Sequence, residues 1–308
     1  MIDRSKIGGV VVPMVTPLRA DGVTVHEAGV HQLVERLMTH GVHGVFVGGT
    51  TGEVWALDDE QWSRLVRFSR EALRGRAPLY VGVSHPSTAG AVARARLGEQ
   101  LGADILVSLA PYYIAPGQAD IIRHFQALAN ATALPIVVYQ YPGIVKTSIA
   151  LATYAELAKI PGIAGVKDSL ADVTEFHHML LTLRGNGQDF RLLLGTDVLG
   201  HVAVLMGAQG LVPGLGNVAA RYIVEAYEAA LAGDWQRSLT VQAQASALKA
   251  IYRVVSGDGP FDGFLAGLKG ALNVLGVEAG PPAAPLRPCT AAEADAIADI
   301  LRAGGLLS

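Results

Sequence analysis

Short runs of β-branched and aliphatic residues recur along the chain at Val10–Val15, Val42–Val47, Leu79–Val83, Ile105–Leu109, Ile136–Tyr139, Ile163–Lys167, Leu192–Gly195 and Gly210–Val212. Each is bounded by Gly or Pro and lacks polar alternation, so each reads as a strand buried on both faces. The segments between them carry apolar positions at helical spacing. Side chains suited to helix starts precede them: Thr24 for the first, Asp58 with Glu60 and Gln61 for the second, Ser87 or Thr88 for the third. Eight strand–helix units over about 230 residues predict a (β/α)8 TIM barrel. An open doubly wound sheet would place a Gly-rich dinucleotide loop after its first strand. Here that strand runs into Pro13-Met14-Val15-Thr16-Pro17, which cannot cradle a phosphate.

Beyond residue 233 no further strand is visible. Helical stretches are expected at 235–255, 261–276 and 290–303, with Pro281-Pro282-Ala283-Ala284-Pro285 as a stiff extended connector between the last two. The reading is a catalytic barrel over 1–232 and a C-terminal three-helix appendage over 233–308.

Composition narrows the function. Hydrophobic residues make up 51% of the 308 and charged residues 17%, enough for one large core. The formal net charge is −3 with no basic run, which argues against nucleic acid. No apolar run is long enough to span a bilayer and the polar start lacks a signal-peptide core, so a cytoplasmic location is expected. The lone Cys289 excludes an internal disulfide. Of nine histidines only His85 stands just past a strand, where a packing role is the commoner one. No metal site is expected.

In a barrel the chemistry sits where the strands end. The second ends in Gly48-Gly49-Thr50-Thr51-Gly52-Glu53, either a carboxylate-binding nest or an ordinary Gly-rich turn. The fourth runs into Pro111-Tyr112-Tyr113 and the fifth ends at Tyr139, inside Tyr139-Gln140-Tyr141-Pro142. Tyrosines so placed are aromatic lids or members of a proton relay with the Thr pair. The sixth ends in Gly165-Val166-Lys167-Asp168-Ser169, and Lys167 alone of six lysines closes an apolar run. Burial disfavours an ammonium and leaves free amine to attack a carbonyl. The competing reading is a rim ion pair with Asp168. The seventh ends in Gly195-Thr196-Asp197, where Asp197 either holds a substrate hydroxyl or caps a helix. In the last loop, Val212 to Asn217, Asn217 reads as a helix N-cap.

These residues, in this order, resemble the dihydrodipicolinate synthase / N-acetylneuraminate lyase family of barrel aldolases. The resemblance rests on Pro13 to Pro17, Gly49-Thr50-Thr51-Gly52-Glu53, Pro111-Tyr112-Tyr113, Tyr139 with Pro142, Gly165-Val166-Lys167, Gly195-Thr196-Asp197 and the tail with Leu268-Lys269-Gly270-Ala271-Leu272. It implies an imine between Lys167 and C2 of pyruvate or another 2-oxo acid, with no other cofactor. Thr50, Thr51 and nearby backbone, Gly49 included, would hold the substrate carboxylate. Gly195, Asp197 and Val212 would line the substrate, and Tyr139 would move protons through Thr50. It also implies that Tyr113 is lent by a neighbouring subunit, in a dimer or a homotetramer.

Two departures bear on the second substrate. The synthase branch has Tyr-Asn-x-Pro-x-Arg, its Arg receiving the carboxylate of aspartate semialdehyde; this chain has Ile144 there. Lys146 is an imperfect substitute, being a point charge rather than a fork. The neuraminate lyase branch has a Glu where this chain has Val198. The branch acting on 2-keto-3-deoxy sugar acids shares Tyr-x-Tyr-Pro without Arg. Retro-aldol cleavage of such an acid to pyruvate and an aldehyde is therefore the leading expectation. A dehydratase using the same imine, the synthase reaction, and a 2-oxo acid binding protein without turnover are the alternatives.

Overall fold

The computed structural model describes residues 3–170, 172–184, 189–257, 259 and 261–308. Eight parallel strands close into a barrel in chain order: β1 (Gly9–Pro13), β2 (Gly44–Val47), β3 (Leu79–Gly82), β4 (Ile105–Leu109), β5 (Ile136–Gln140), β6 (Ile163–Asp168), β7 (Arg191–Leu194) and β8 (Gly210–Leu211). Each expected strand is present, and β8 returns to pair with β1.

The strands are apolar throughout because both of their faces are covered. Val11, Phe46, Tyr80, Val107, Val137 and Leu193 belong to an interior cluster, closed at the base by Ile7. Their neighbours Val10, Val12, Val45, Val47, Val81 and Val138 belong to a separate layer packed against the surrounding helices. This alternation lets the barrel interior be a core at one end and a reagent-bearing cavity at the other.

The helix starts agree with the sequence in part. Asp58 and Ser87 each cap through the side chain, accepting from the N–H of Gln61 and Gly90. Thr24 does not. The first helix, Glu27–Thr39, starts after His26, and Thr24 lies in a turn where Asp21 accepts from the N–H of Val23 and of Thr24 and from the Thr24 hydroxyl. A short acceptor two residues ahead of a turn competes with a helix cap in this way. Asn217 is not a cap either. Its side chain accepts from the Val15 N–H and donates to the carbonyls of Pro13 and Gly214, tying the end of β1 to the loop after β8.

The chain beyond the barrel is helical, as expected. Trp235–Ala247 tightens into a 3-10 helix at Leu248–Arg253, and Asp262–Val274 and Ala291–Ala303 follow. Their apolar residues, among them Ala245, Leu248, Leu268, Leu272, Ile297 and Leu301, join the same layer as the outer faces of the strands. The connector has no regular secondary structure through Ala283 and then turns, the Leu286 N–H bonding to the Ala283 carbonyl. No helix among the described residues is long and apolar enough to cross a membrane.

Candidate active site

A regular strand sends residues three apart to opposite faces. In β6, however, both Ala164 and Lys167 face the barrel interior. The register explains this: Ile136 pairs with Ile163 but Val137 with Gly165, so Ala164 is an extra residue. Such a bulge flips the phase of everything after it. Gly165 permits it, since a Cβ there would overlap the Arg191 carbonyl oxygen. Lys167 is thereby turned inward beside its register partner Tyr139, while Asp168 and Gln140 face the other way.

Lys167 is buried, with Nζ 3.7 Å from the centroid of the Tyr139 ring and 5.6 Å from that of Phe46. Among the described residues it has no hydrogen-bond acceptor and no ion pair. A lysine against ring faces is held by weak attraction and remains free to react. The rim pair with Asp168 is not formed. Among the described residues that carboxylate accepts only the Leu170 N–H, at 3.4 Å, and its second oxygen has no partner. Burial pushes its pKa up to about 6.

The Tyr139 hydroxyl stands 3.4 Å from Thr50 Oγ1, bringing the ends of β2 and β5 together. Both line a cavity of about 720 Å³ over the strand ends, together with Thr51, Lys167, Gly195, Asp197 and Val212. The backbone N–H groups of Thr50 and Thr51 have no acceptor among the described residues. They are free donors of the kind a carboxylate takes. Gly195 leaves room beside the lysine: a Cβ there would overlap Ser169 Oγ and lie 3.2 Å from Lys167 Cε.

Other expected residues are placed differently. Gly49 does not line the cavity; its missing side chain lets the turn pack on the Phe46 ring, 2.8 Å from where a Cβ would be. Asp197 lines it, but its oxygens accept from the Leu215 N–H and the Tyr252 hydroxyl, and Gln242 donates to its carbonyl. It fastens the C-terminal helices to the barrel mouth. The next helix, Gly200–Met206, is led in by Thr196, whose hydroxyl accepts from the N–H of Val198 and Leu199. Tyr113 is 98% exposed with φ 79° and lies outside the cavity of its own chain. Lys146 folds back onto the Gly143 carbonyl at 2.9 Å and does not stand in for the missing arginine. His85 accepts from the Ser87 N–H and helps turn the chain into the third helix. Among the described residues, one grouping suited to a metal exists, Glu27, His31 and Glu71, on the outer helices and not at the strand ends.

Several cavity residues went unassigned in the sequence. Ser169 lies two residues beyond the lysine, and the Tyr141 ring is 6.1 Å from that of Tyr139. Lys249, Tyr252, Arg253, Phe261 and Phe264 come from the C-terminal helices. No periodicity marks them, because a helical tail reads the same whichever part of the barrel it covers.

A model of the Dihydrodipicolinate synthetase family matches residues 6–304. The 4-hydroxy-tetrahydrodipicolinate synthase of Moorella thermoacetica is 33% identical over 300 residues, covering 97% of this chain and 99% of the relative. That of Methanothermobacter thermautotrophicus is 32% identical over 276 residues, 89% and 95% of the two chains. Among solved structures, dihydrodipicolinate synthase from Bacteroides thetaiotaomicron superposes with a TM-score of 0.90 at 33% identity, covering 96% of this chain and 98% of that one. A prophage protein of the dihydrodipicolinic acid synthase family from E. coli K12, in complex with pyruvate, gives 0.90 at 25% identity, covering 97% and 99%. The chain belongs to the dihydrodipicolinate synthetase family and is a lyase of the class I aldolase type.

Proposed function

We propose that this lyase forms an imine between Lys167 and the C2 carbonyl of a 2-oxo acid, and that its reaction is retro-aldol cleavage of a 2-keto-3-deoxy acid. The observation that carries the proposal is the buried Lys167 Nζ, unpaired among the described residues, against the Tyr139 ring at the strand ends, with Thr50 at the hydroxyl of that tyrosine.

The amine adds to C2, and the carbinolamine loses water once its hydroxyl is protonated. Tyr139 supplies that proton and is left as a phenolate beside the Thr50 hydroxyl and the positive imine. The protonated imine is an electron sink. Tyr139 then takes the proton of the C4 hydroxyl, the C3–C4 bond breaks, its electron pair flows into the imine, and the aldehyde leaves. The resulting enamine is protonated at C3, and water hydrolyses the imine to release pyruvate and free Lys167. Thr50 and Thr51, with their unpaired N–H groups, bind the C1 carboxylate throughout. Tyr113 joins the Tyr139–Thr50 relay only from a second copy of the chain.

The relatives' names favour a second reading, condensation of pyruvate with aspartate semialdehyde. Against it stands Ile144, which lines the cavity where the synthase branch has its arginine. A buried charge-assisted hydrogen bond contributes roughly 1.5–3 kcal/mol, so its loss costs tenfold or more in handling that aldehyde. Side-by-side assays decide: pyruvate release from a panel of 2-keto-3-deoxy acids should exceed condensation with aspartate semialdehyde in kcat/KM. The reverse order would establish the synthase reaction.

A further inference from the structure

The cavity continues outward from Lys167 to a mouth walled by the 3-10 helix Leu248–Arg253 and by Val255, Ser256 and Gly257 after it. Two cations on that helix line the cavity, the half-buried Lys249 and the exposed Arg253. Neither makes a hydrogen bond or ion pair among the described residues. This sets them apart from the buried Lys269, which is tied to Glu53. The described acids nearby bond elsewhere, although Asp197 feels the charge of Lys249. Asp197 accepts from Leu215 and Tyr252, and the Asp262 carboxylate accepts from the Gly259 N–H behind the same loop. The opposite wall, formed by the short helix Pro142–Val145, presents Ile144 and no charge.

We propose that Lys249 and Arg253 form a subsite for a second anionic group, so that the preferred substrate is a 2-oxo acid carrying a carboxylate or phosphate at the end remote from its keto acid. The inference rests on the imine chemistry proposed for the same cavity. The C1 carboxylate is held at Thr50–Thr51, deep in the barrel, and C2 is fixed at Lys167. The remaining carbons must extend toward the mouth, where the two cations stand. An anion there meets two cations that form no ion pair among the described residues. The cation that the synthase branch places after β5 is thus replaced from across the mouth, on a different element and nearer the solvent. Such an arrangement suits a longer substrate than aspartate semialdehyde.

The test uses the full-length protein and three six-carbon 2-keto-3-deoxy acids that differ only at C6: hydroxymethyl, carboxylate, or phosphorylated hydroxymethyl. The wild type should cleave one or both anion-ended acids with kcat/KM about tenfold or more above the hydroxymethyl acid, and whichever is preferred names the anion. Lys249→Gln and Arg253→Gln should each raise KM for that substrate about tenfold, a step of about 1.4 kcal/mol, with kcat and the hydroxymethyl acid little changed. Arg253→Lys should restore much of the loss. Preference for the hydroxymethyl acid, or an equal fall in kcat for all three, would overturn the subsite. Borohydride trapping of pyruvate separates the two levels. An adduct at Lys167 without terminal preference removes only this inference, and no adduct removes the imine and the subsite together.

Discussion

Tyr139 meets both partners that proton transfer requires, the lysine beneath it and the Thr50 hydroxyl beside it. Replacing it with Phe keeps the ring against Lys167 and removes only the proton carrier. Turnover by Tyr139→Phe should fall by about 10²–10⁴, the usual contribution of a positioned acid–base group, with imine formation slowed but present. Stopped-flow and steady-state kinetics would check this; near-normal turnover would remove Tyr139 from the mechanism. Asp168, one residue beyond the lysine, has the opposite character. Burial raises its pKa from 3.8 to about 6, so the folded state keeps a proton that the unfolded chain has released. Its stabilising effect is complete below about pH 4 and disappears as pH rises through 6, above which a charged carboxylate is buried. Asp168→Asn should therefore leave stability at pH 4 almost unchanged and raise it at pH 8, by at most about 3 kcal/mol. Urea unfolding at the two pH values measures it, and equal shifts at both would contradict it.

At the scale of elements, strand existence was legible because each run is continuously apolar, which only a strand covered on both faces requires. The facing of Lys167 was not. Periodicity alone sends residues 164 and 167 to opposite sides, and the bulge that reconciles them lies in the pairing of β5 with β6. Gly165 was the available signal, although a Gly in a strand has several meanings. Gly165→Ala must displace the Arg191 carbonyl or undo the bulge. It should lower the thermal midpoint by several degrees and kcat by more than tenfold, because a phase change redirects Lys167. Unchanged activity with lowered stability would mean that the bulge does not aim the lysine. Helix starts were legible at Asp58 and, as one of two neighbouring candidates, at Ser87, where the side chain caps the helix. They were misread at Thr24 and Asn217, where the same side chains serve a turn and a strand-to-loop tie.

Across the whole molecule, the barrel and its tail are joined by charge as well as by apolar packing. Glu53, from the loop after β2, pairs with Lys269 at 2.5 Å, both fully buried. Glu53 also accepts the Ala283 N–H, and Lys269 donates to the Pro281 carbonyl. We propose the division at 232/233 as a boundary of architecture, not of independent folding, since a chain ending there would leave Glu53 without its cation. Lys269→Met should destabilise by about 3–5 kcal/mol, and adding Glu53→Gln should recover much of the loss, because the unpaired charge is the main cost. Unfolding curves of the single and double variants decide. Tail residues that reach the cavity, Lys249, Tyr252 and Arg253, were illegible in the sequence for the same long-range reason. Their place depends on how the tail docks, which local pattern does not encode. Tyr113 poses the corresponding question between chains, being exposed on a backbone with φ 79°.

All of the proposed chemistry passes through one covalent bond. Incubation with pyruvate and borohydride, followed by peptide mass mapping, tests it directly. A single reduced pyruvyl adduct on Lys167, absent in Lys167→Ala, is the expected result. No adduct, or an adduct on another lysine, would contradict it.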